Sequence, residues 1–248
     1  MASTLIVDQL QKTGGSTTAL TLPTSNASAN EFLKNDGAGA LSWGSAAAGF
    51  SKYTVVTATD TTFDLQSGTT KLIIEVQASG GYAGNTDGSV YRGGSGGSGA
   101  YARKFLSAMV DTDKLNITIG SVAPIASSGT TTSVASAIGT SFATITCVGG
   151  AGGTSGSGAW GVGGAGGALP TTGDFNIAGG DGCNGVRNAG YETASAGAFY
   201  SVSNGLSPAS ASIGPLTLGY GGGGSASNTA SGSGNPGGTA VVIVWEYK

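Results

Sequence analysis

Histidine is absent from the 248 residues of this chain. Without it, the base of a Ser-His-Asp triad is missing and the usual zinc ligand sets are incomplete. Gly93–Gly97 matches the G-x-S-x-G pattern of hydrolases, but a serine in that turn would have no base. A Ser-His-Asp hydrolase is therefore excluded, and we expect neither a metal site nor a cofactor.

Charge is also scarce. The 10 basic and 13 acidic residues make up 9% of the chain, whereas an average globular protein has about 25%. The net charge of -3 and the scattered basic residues provide no positive stripe for a nucleic acid. Because 39% of the residues are hydrophobic, the chain is not of the highly charged disordered class either.

Long apolar runs and cysteines are few. No stretch approaches the roughly 20 apolar residues that span a bilayer, and the first residues lack the basic and apolar regions of a signal peptide. We therefore expect synthesis in the cytoplasm and no membrane insertion. Cys147 and Cys183 are too few for a disulfide framework. We expect two small buried thiols, and the sequence leaves open whether they form a disulfide bond with each other.

Glycine is what this chain has in abundance. Seven of its 48 glycines precede Gln77 and 41 follow it. A flexible linker is the simplest interpretation of a glycine run, but each run here is bracketed by strand candidates. The runs occur at Gly93–Gly99, Gly149–Gly153, Gly161–Gly167, Tyr220–Gly224 and Pro236–Gly238.

Ordering so much glycine is costly, because glycine loses more conformational freedom on folding than any other residue. The left-handed polyproline II helix, with three residues per turn, offers one solution. Helices without Cβ atoms can touch, and their N–H and C=O groups can then pair laterally. The period of three in Gly93–Gly99 (GGSGGSG) favours such a stack, whereas collagen is excluded because strict Gly-X-Y does not persist.

The remaining pattern after residue 49 is that of strands. Apolar residues alternate along Lys71–Ala78, and the other candidates are rich in β-branched and aromatic residues. The sequence thus predicts an all-β, jelly-roll-like β-sandwich that frames polyglycine II-like segments. Strands are predicted at Lys52–Thr57, Thr62–Leu65, Lys71–Ala78, Ala100–Leu106, Leu115–Ile119, Thr131–Val134, Phe142–Val148 and Ala240–Lys248.

Residues 1–49 differ from the rest. Leu5–Leu10 and Ala19–Leu22 are short apolar runs, and Glu31–Trp43 contains an Asn-Asp-Gly turn between two apolar stubs. This is too little to bury a core. We expect a small extended region, residues 1–49, that orders by packing on copies of itself or on another protein, followed by a glycine-rich β domain over residues 50–248.

Several passages resemble a known family. Ser3–Gln11 (STLIVDQLQ) and Asn30–Trp43 (NEFLKNDGAGALSW) resemble the N-terminal region of tail-fibre and virion-appendage proteins of marine tailed bacteriophages. The passages KLIIEVQASGG, GGSGGSGAYARKFL, LNITIGS, GDFNIAGGDG, YGGGG and PGGTAVVIVWEY resemble, in that order, the glycine-rich domain of phage tail fibres and tip adhesins. The resemblance covers nearly the whole chain.

The resemblance implies a non-enzymatic virion protein that assembles as a homotrimer. Its N-terminal part would attach to tail or capsid proteins, and its distal domain would bind a host cell-surface glycan or outer-membrane protein. Loops between glycine segments carry receptor specificity in such adhesins. The glycine runs of this chain are shorter and more interrupted than those of the family. Whether they form a complete polyglycine II stack is therefore left open by the sequence. The inter-glycine segments are Tyr82–Arg92, Thr154–Trp160, Cys183–Leu206 and Ser225–Asn235.

Receptor binding of this kind needs flat aromatic surfaces and hydrogen-bonding side chains with few fixed charges. The competing interpretation is that an aromatic between glycines covers glycine backbone within its own domain. The candidates for receptor contact are Tyr82, Tyr91, Arg92, Trp160, Asp181, Asn184, Arg187, Tyr191, Phe199 and Tyr200.

Two other functions remain as alternatives. A purely structural capsid or tail decoration would have the same composition and no receptor. Paired carboxylates such as Asp111 with Asp113, or Asp174 with Asp181, could serve glycoside cleavage in a polysaccharide depolymerase, although solvated turn residues are their ordinary interpretation. Gly94–Gly99 matches G-x-G-x-x-G but does not follow a strand directly, so it predicts no dinucleotide site.

Overall fold

The computed structural model describes thirteen strands, and every strand pairing is antiparallel. None of the described residues lies in a helix, so the all-β prediction is confirmed. The chain divides into two compact units, Met1–Gly49 and Phe50–Lys248. The described residues are 9–10, 20–21, 23–28, 31–35, 40–45, 49–86, 91–122, 126–185, 219–225 and 233–248.

The first unit contains two small two-stranded sheets. Its strands are β1 (Gln9–Leu10), β2 (Leu20–Thr21), β3 (Glu31–Asn35) and β4 (Leu41–Ser45), paired β1 with β2 and β3 with β4. Phe32 and Leu33 are both exposed, and none of the described side chains of this unit is buried. A two-stranded hairpin is marginal in water by itself. The described part of this unit therefore has no core of its own.

The second unit is a sandwich of two sheets. One sheet has the strand order β12-β8-β7-β13-β5 and the other the order β11-β10-β9-β6. The strands are β5 (Phe50–Val56), β6 (Asp60–Asp64), β7 (Lys71–Gln77), β8 (Tyr101–Ser107), β9 (Lys114–Thr118), β10 (Thr132–Ile138), β11 (Ile145–Cys147), β12 (Phe175–Ile177) and β13 (Val241–Tyr247).

The core lies between these sheets. Leu72, Ile74 and Val76 of β7 are fully buried in one hydrophobic cluster with Leu115 and Ile117 of β9. Each such side chain stabilises the fold by about 1.5–3 kcal/mol relative to an exposed one. The alternation along Lys71–Ala78 thus places its apolar residues in the core.

The other side of β7 is also covered where the strand ends. Gln77 is fully buried, and its side-chain amide donates to the carbonyl oxygen of Gly99 at 3.0 Å. Glu75 is buried as well, and its carboxylate accepts a 2.9 Å hydrogen bond from the hydroxyl of Tyr101. Desolvation by burial, followed by this bond, raises the pKa of Tyr101 well above its usual range.

The two cysteines differ from the expected pair of buried thiols. Both are free, and Cys147 is buried at the end of β11, where burial raises the pKa of its thiol to about 12. Cys183 is exposed, so the expectation of a second buried thiol is wrong. The reason is that Cys183 lies in a glycine-rich segment at the surface rather than in the sandwich core.

Candidate functional site

Eight segments, all but one of them glycine-rich, are joined to one another by backbone hydrogen bonds, and we call them together the glycine stack. Segment A continues β7, segment B leads into β8, segment D continues β11, segment F continues β12 and segment H leads into β13. The segments are A (78–86), B (92–100), C (126–130), D (148–156), E (161–168), F (178–185), G (219–225) and H (233–240).

Segments A and B show how the stack is bonded. The N–H groups of Ala78, Gly81 and Gly84 donate at 2.8–3.0 Å to carbonyl oxygens of segment B, in antiparallel order. Only every third residue of segment A donates to this neighbour. That interval matches the three residues per turn of a polyproline II helix, which makes no internal hydrogen bonds.

Segment B lies at the centre of the stack. It accepts hydrogen bonds from segments A and E, so its carbonyl groups are paired as well as its amides. The predicted polyglycine II-like arrangement is therefore present, and it satisfies backbone groups that burial would otherwise leave unpaired. Segment B donates to segment D from Gly94, Gly97 and Ala100, to segment F from Ser95 and Ser98, and to segment G from Gly96 and Gly99.

The repeat of two glycines and a serine follows from this geometry. A Cβ atom at Gly94 or Gly97 would lie 2.1 Å from the carbonyl oxygen of Val162 or Ala165, so no side chain fits there. The serines turn to the third side, towards segment F. Ser98 Oγ accepts a 2.6 Å hydrogen bond from the Gly180 N–H, and Ser95 Oγ accepts an equal one from Cys183.

One end of the stack lies away from the strands. Hydrogen bonds join Gly156 to Asn85, Gly161 to Arg92 and Gly185 to Gly161, all between segment termini that are remote from the sheets. We call residues 84–86, 91–94, 154–163 and 183–185 the remote end. Described residues of three predicted receptor segments lie there, from Tyr82–Arg92, Thr154–Trp160 and Cys183–Leu206.

Four of the predicted contact residues lie at the remote end: Tyr91, Arg92, Trp160 and Asn184. The rings of Tyr91 and Trp160 pack with centroids 5.4 Å apart and an interplanar angle of 58°. Trp160 follows a tight turn in which Gly158 has a φ of 66°, a conformation that suits glycine. Although paired, Trp160 keeps 37% of its surface exposed.

Asp181 and Asn184 have a bonding role within the stack. Their side-chain oxygens accept hydrogen bonds from the N–H groups of Gly166 and Gly163, at 2.7 and 2.8 Å. Being three residues apart, the two side chains lie on the same side of segment F. Both residues are exposed, but their acceptor atoms Oδ1 are already engaged by segment E.

The remaining candidates are placed differently. Tyr82 lies midway along segment A, where its N–H donates to Ser127 and its carbonyl oxygen accepts from Gly153. Its side chain is half-buried, and the residue lies two positions before the remote end begins at Gly84. The last four candidates, Arg187, Tyr191, Phe199 and Tyr200, lie outside the described residues.

Uncharged polar side chains complete the remote end. The Ser155 hydroxyl accepts a 3.0 Å hydrogen bond from the N–H of Asn85, and the Thr154 hydroxyl accepts one of 2.6 Å from Val162. Among the described residues of this end, Arg92 carries the only formal charge. Sequence reasoning missed Asn85, Thr154 and Ser155, although their places at the ends of glycine runs were a usable signal.

No known protein-family profile matches this chain, and no curated protein is significantly similar to it. Within the part of the chain that the structure describes, no cluster of three or more histidine, cysteine or acidic residues could hold a metal ion. In that same part, no helix is long and apolar enough to cross a membrane.

Proposed function

We propose that this protein is a tail-fibre or similar appendage of a tailed bacteriophage, and that it binds the host cell surface through the remote end of its glycine stack. In this proposal the protein resides on the virion, acts by binding rather than by catalysis, and assembles as a homotrimer. Residues 1–49 would attach it to tail or capsid proteins. The resemblance of the sequence to phage adhesins supports the viral part of the proposal.

The observation that carries the binding role is the contact between Tyr91 and Trp160 at the remote end. Tyrosine and tryptophan supply large contact areas at a low cost in side-chain entropy. The segments that hold them are cross-linked by backbone hydrogen bonds, so the pair is ordered before any ligand arrives. Such preorganisation raises affinity because less freedom is lost on binding.

The remote end also carries hydroxyl and amide groups, which fit a cell-surface ligand that is recognised through hydrogen bonds. Asn85, Thr154 and Ser155 are uncharged, and Arg92 is the one described cation nearby. A polar rim around an aromatic centre is the usual anatomy of a binding surface. The composition of the remote end is therefore suited to recognition.

The test is the binding of fluorescently labelled, full-length protein to a panel of marine bacteria. We expect saturable binding to at least one strain, and a loss of about tenfold or more in affinity for Trp160→Ser, because buried aromatic centres dominate such interfaces. Leu169→Ser is the matched control. It removes an exposed apolar side chain that lies outside the remote end.

Three other outcomes are informative. Folded protein that binds no strain would overturn the adhesin proposal and favour a structural capsid or tail decoration. Loss of surface polysaccharide from bound cells over time would favour a depolymerase. Binding that Trp160→Ser leaves unchanged would move recognition away from the remote end.

A further inference from the structure

The outer face of the five-stranded sheet carries an unusual concentration of aromatic side chains. Phe50, Tyr53, Phe105 and Phe175 keep 55, 56, 52 and 48% of their surface exposed. The strand register sets Tyr53, Trp245, Ile73 and Phe105 opposite one another, in a row across β5, β13, β7 and β8. We use "aromatic face" for the side of the sheet that bears these residues.

The rings of the aromatic face hold one another in place. Trp245 packs against Tyr53 at a centroid distance of 5.3 Å and against Phe50 at 5.9 Å. Phe50 also meets Tyr247 edge to face at 5.9 Å. The face is therefore an ordered surface rather than a set of independent side chains.

The outer face of the other sheet has the opposite character. There the register aligns Thr118, Ser133 and Thr146 across β9, β10 and β11, with Asn116 beside Ala135. Antiparallel sheets usually pack one face on the core and keep the other one polar for water. The four-stranded sheet follows this rule and the five-stranded sheet does not.

The exposed aromatic area is large enough to form a substantial part of a protein–protein interface. Aromatic side chains bury about 150–250 Å² each, so four of them at about half exposure leave roughly 300–500 Å² of ring surface open to solvent. A specific interface needs about 800 Å² from each partner. With the exposed Val55 and the half-buried Trp245 and Ile243 added, the aromatic face supplies more than half of that share.

We propose that the aromatic faces of three copies of this chain meet around a threefold axis, and that they form an interface of the homotrimer. This inference rests on the self-association in the proposed function. The strand β5 begins at Phe50, directly after the first unit ends at Gly49. Copies joined through their first units would hold their aromatic faces at a high effective concentration.

The charges on the face also favour a copy of the same chain over a charged partner. Glu75 is buried beneath the Tyr101 hydroxyl. The exposed charged side chains on this side are Lys71, at the first residue of β7, and Arg103, which lies between Glu75 and Phe175 in the register, so that a carboxylate is directly opposite it. The row formed by Tyr53, Trp245, Ile73 and Phe105 carries no charge. An apolar face that meets its symmetry mates desolvates few ions, and closed symmetry lets each copy use the same surface.

The experiment measures the mass of the full-length protein in solution by light scattering and sedimentation over a range of concentrations. We expect a trimer for the wild type, and for Phe105→Glu and Tyr53→Glu at least about a tenfold weaker association, because each buries a charge at the interface. Ile138→Glu and Leu169→Glu are the controls. Their side chains are similarly exposed, at 54 and 59%, but lie outside both the aromatic face and the remote end.

Circular dichroism checks that each variant is folded, which we expect because all four substituted side chains are exposed. A monomeric wild type, or a trimer that Phe105→Glu leaves intact, overturns the proposal. A monomeric wild type that still binds cells would overturn the proposed interface but leave the proposed receptor binding intact. A trimer that the face variants dissociate would support this interface even if no strain were bound.

Discussion

At the scale of single residues, the glycines of segment B are required because other backbone lies where a side chain would begin. Gly97 is the clearest case, since its missing Cβ would meet a carbonyl oxygen of segment E. The position is buried and surrounded by hydrogen-bonded backbone on several sides. The neighbouring segments cannot move away to admit a side chain without breaking their own hydrogen bonds.

We predict that Gly97→Ala lowers the free energy of unfolding by roughly 3 kcal/mol, as overpacking in a rigid core does. Ala165→Ser is the control, because it enlarges an exposed side chain of the adjacent segment E and is expected to change stability by about 0.5 kcal/mol or less. Chemical denaturation followed by circular dichroism measures both. A Gly97→Ala protein as stable as the control would contradict the close packing of the stack.

Asp113 is a buried carboxylate that holds two loops together. Its oxygens accept 3.0 Å hydrogen bonds from the N–H groups of Val110 and Thr140. Burial by itself raises the pKa of this carboxyl, but the hydrogen bonds from Val110 and Thr140 together outweigh burial and lower it.

Because the folded pKa of Asp113 lies below the unfolded one, the carboxylate stabilises the protein above about pH 4. This contribution is lost as the pH falls through the folded pKa. We expect Asp113→Asn to be less stable than the wild type at neutral pH, and the difference to shrink as the solution becomes acidic. Denaturation curves between neutral and acidic pH measure it. A difference that does not depend on pH would refute the role of the charge.

At the scale of elements, the period of three in segment B has a direct structural meaning. Two glycines of each turn contact neighbouring backbones, and the serine bonds segment F. The Ser98 hydroxyl accepts from Gly180 at 2.6 Å and is fully buried. The serine thus takes the place of a backbone carbonyl as the partner of the Gly180 N–H.

We predict that Ser98→Ala lowers the free energy of unfolding by about 0.5–1.5 kcal/mol, because it removes the hydrogen-bond acceptor of the Gly180 N–H. The same change should accelerate hydrogen exchange at Gly180, which a general loosening of the sandwich would not do selectively. Ser157→Ala, in the exposed turn between segments D and E, is the control and should change neither quantity. Equal exchange rates at Gly180 in wild type and Ser98→Ala would count against this account.

Among the elements, strands with strong periodicity were predictable and short ones were not. Lys71–Ala78 was predicted and Lys71–Gln77 is observed. The three-residue strand β12, at Phe175–Ile177, was not predicted. It exists because it pairs with the edge of β8, where Asp174 accepts a 2.7 Å hydrogen bond from Phe105. Pairing of that kind leaves no local pattern.

At the scale of the whole molecule, the two compact units differ in how much they bury. The described residues of the first unit include no buried side chain, whereas the second unit contains the entire hydrophobic cluster. Because the described residues of the first unit form no core, we expect this unit to depend on partners for its order.

We therefore predict that a fragment of residues 50–248 unfolds cooperatively with nearly the same midpoint as the full chain. An isolated peptide of residues 1–49 should show no cooperative transition at concentrations where it is monomeric. Thermal unfolding followed by circular dichroism compares the three proteins. A cooperative transition of the monomeric peptide would contradict the expected dependence of the first unit on partners.

The sequence by itself determined the all-β class, most strands, and the use of glycine in a three-residue repeat, because these depend on local propensity and periodicity. Only the tertiary structure decided which segments neighbour one another, and with that the roles of individual side chains. Tyr91 meets Trp160, while Asp181 is engaged by a backbone N–H. The aromatic face likewise arises from strand order. Tyr53 and Phe105 belong to one row across the sheet because β13 and β7 lie between their strands and continue that row.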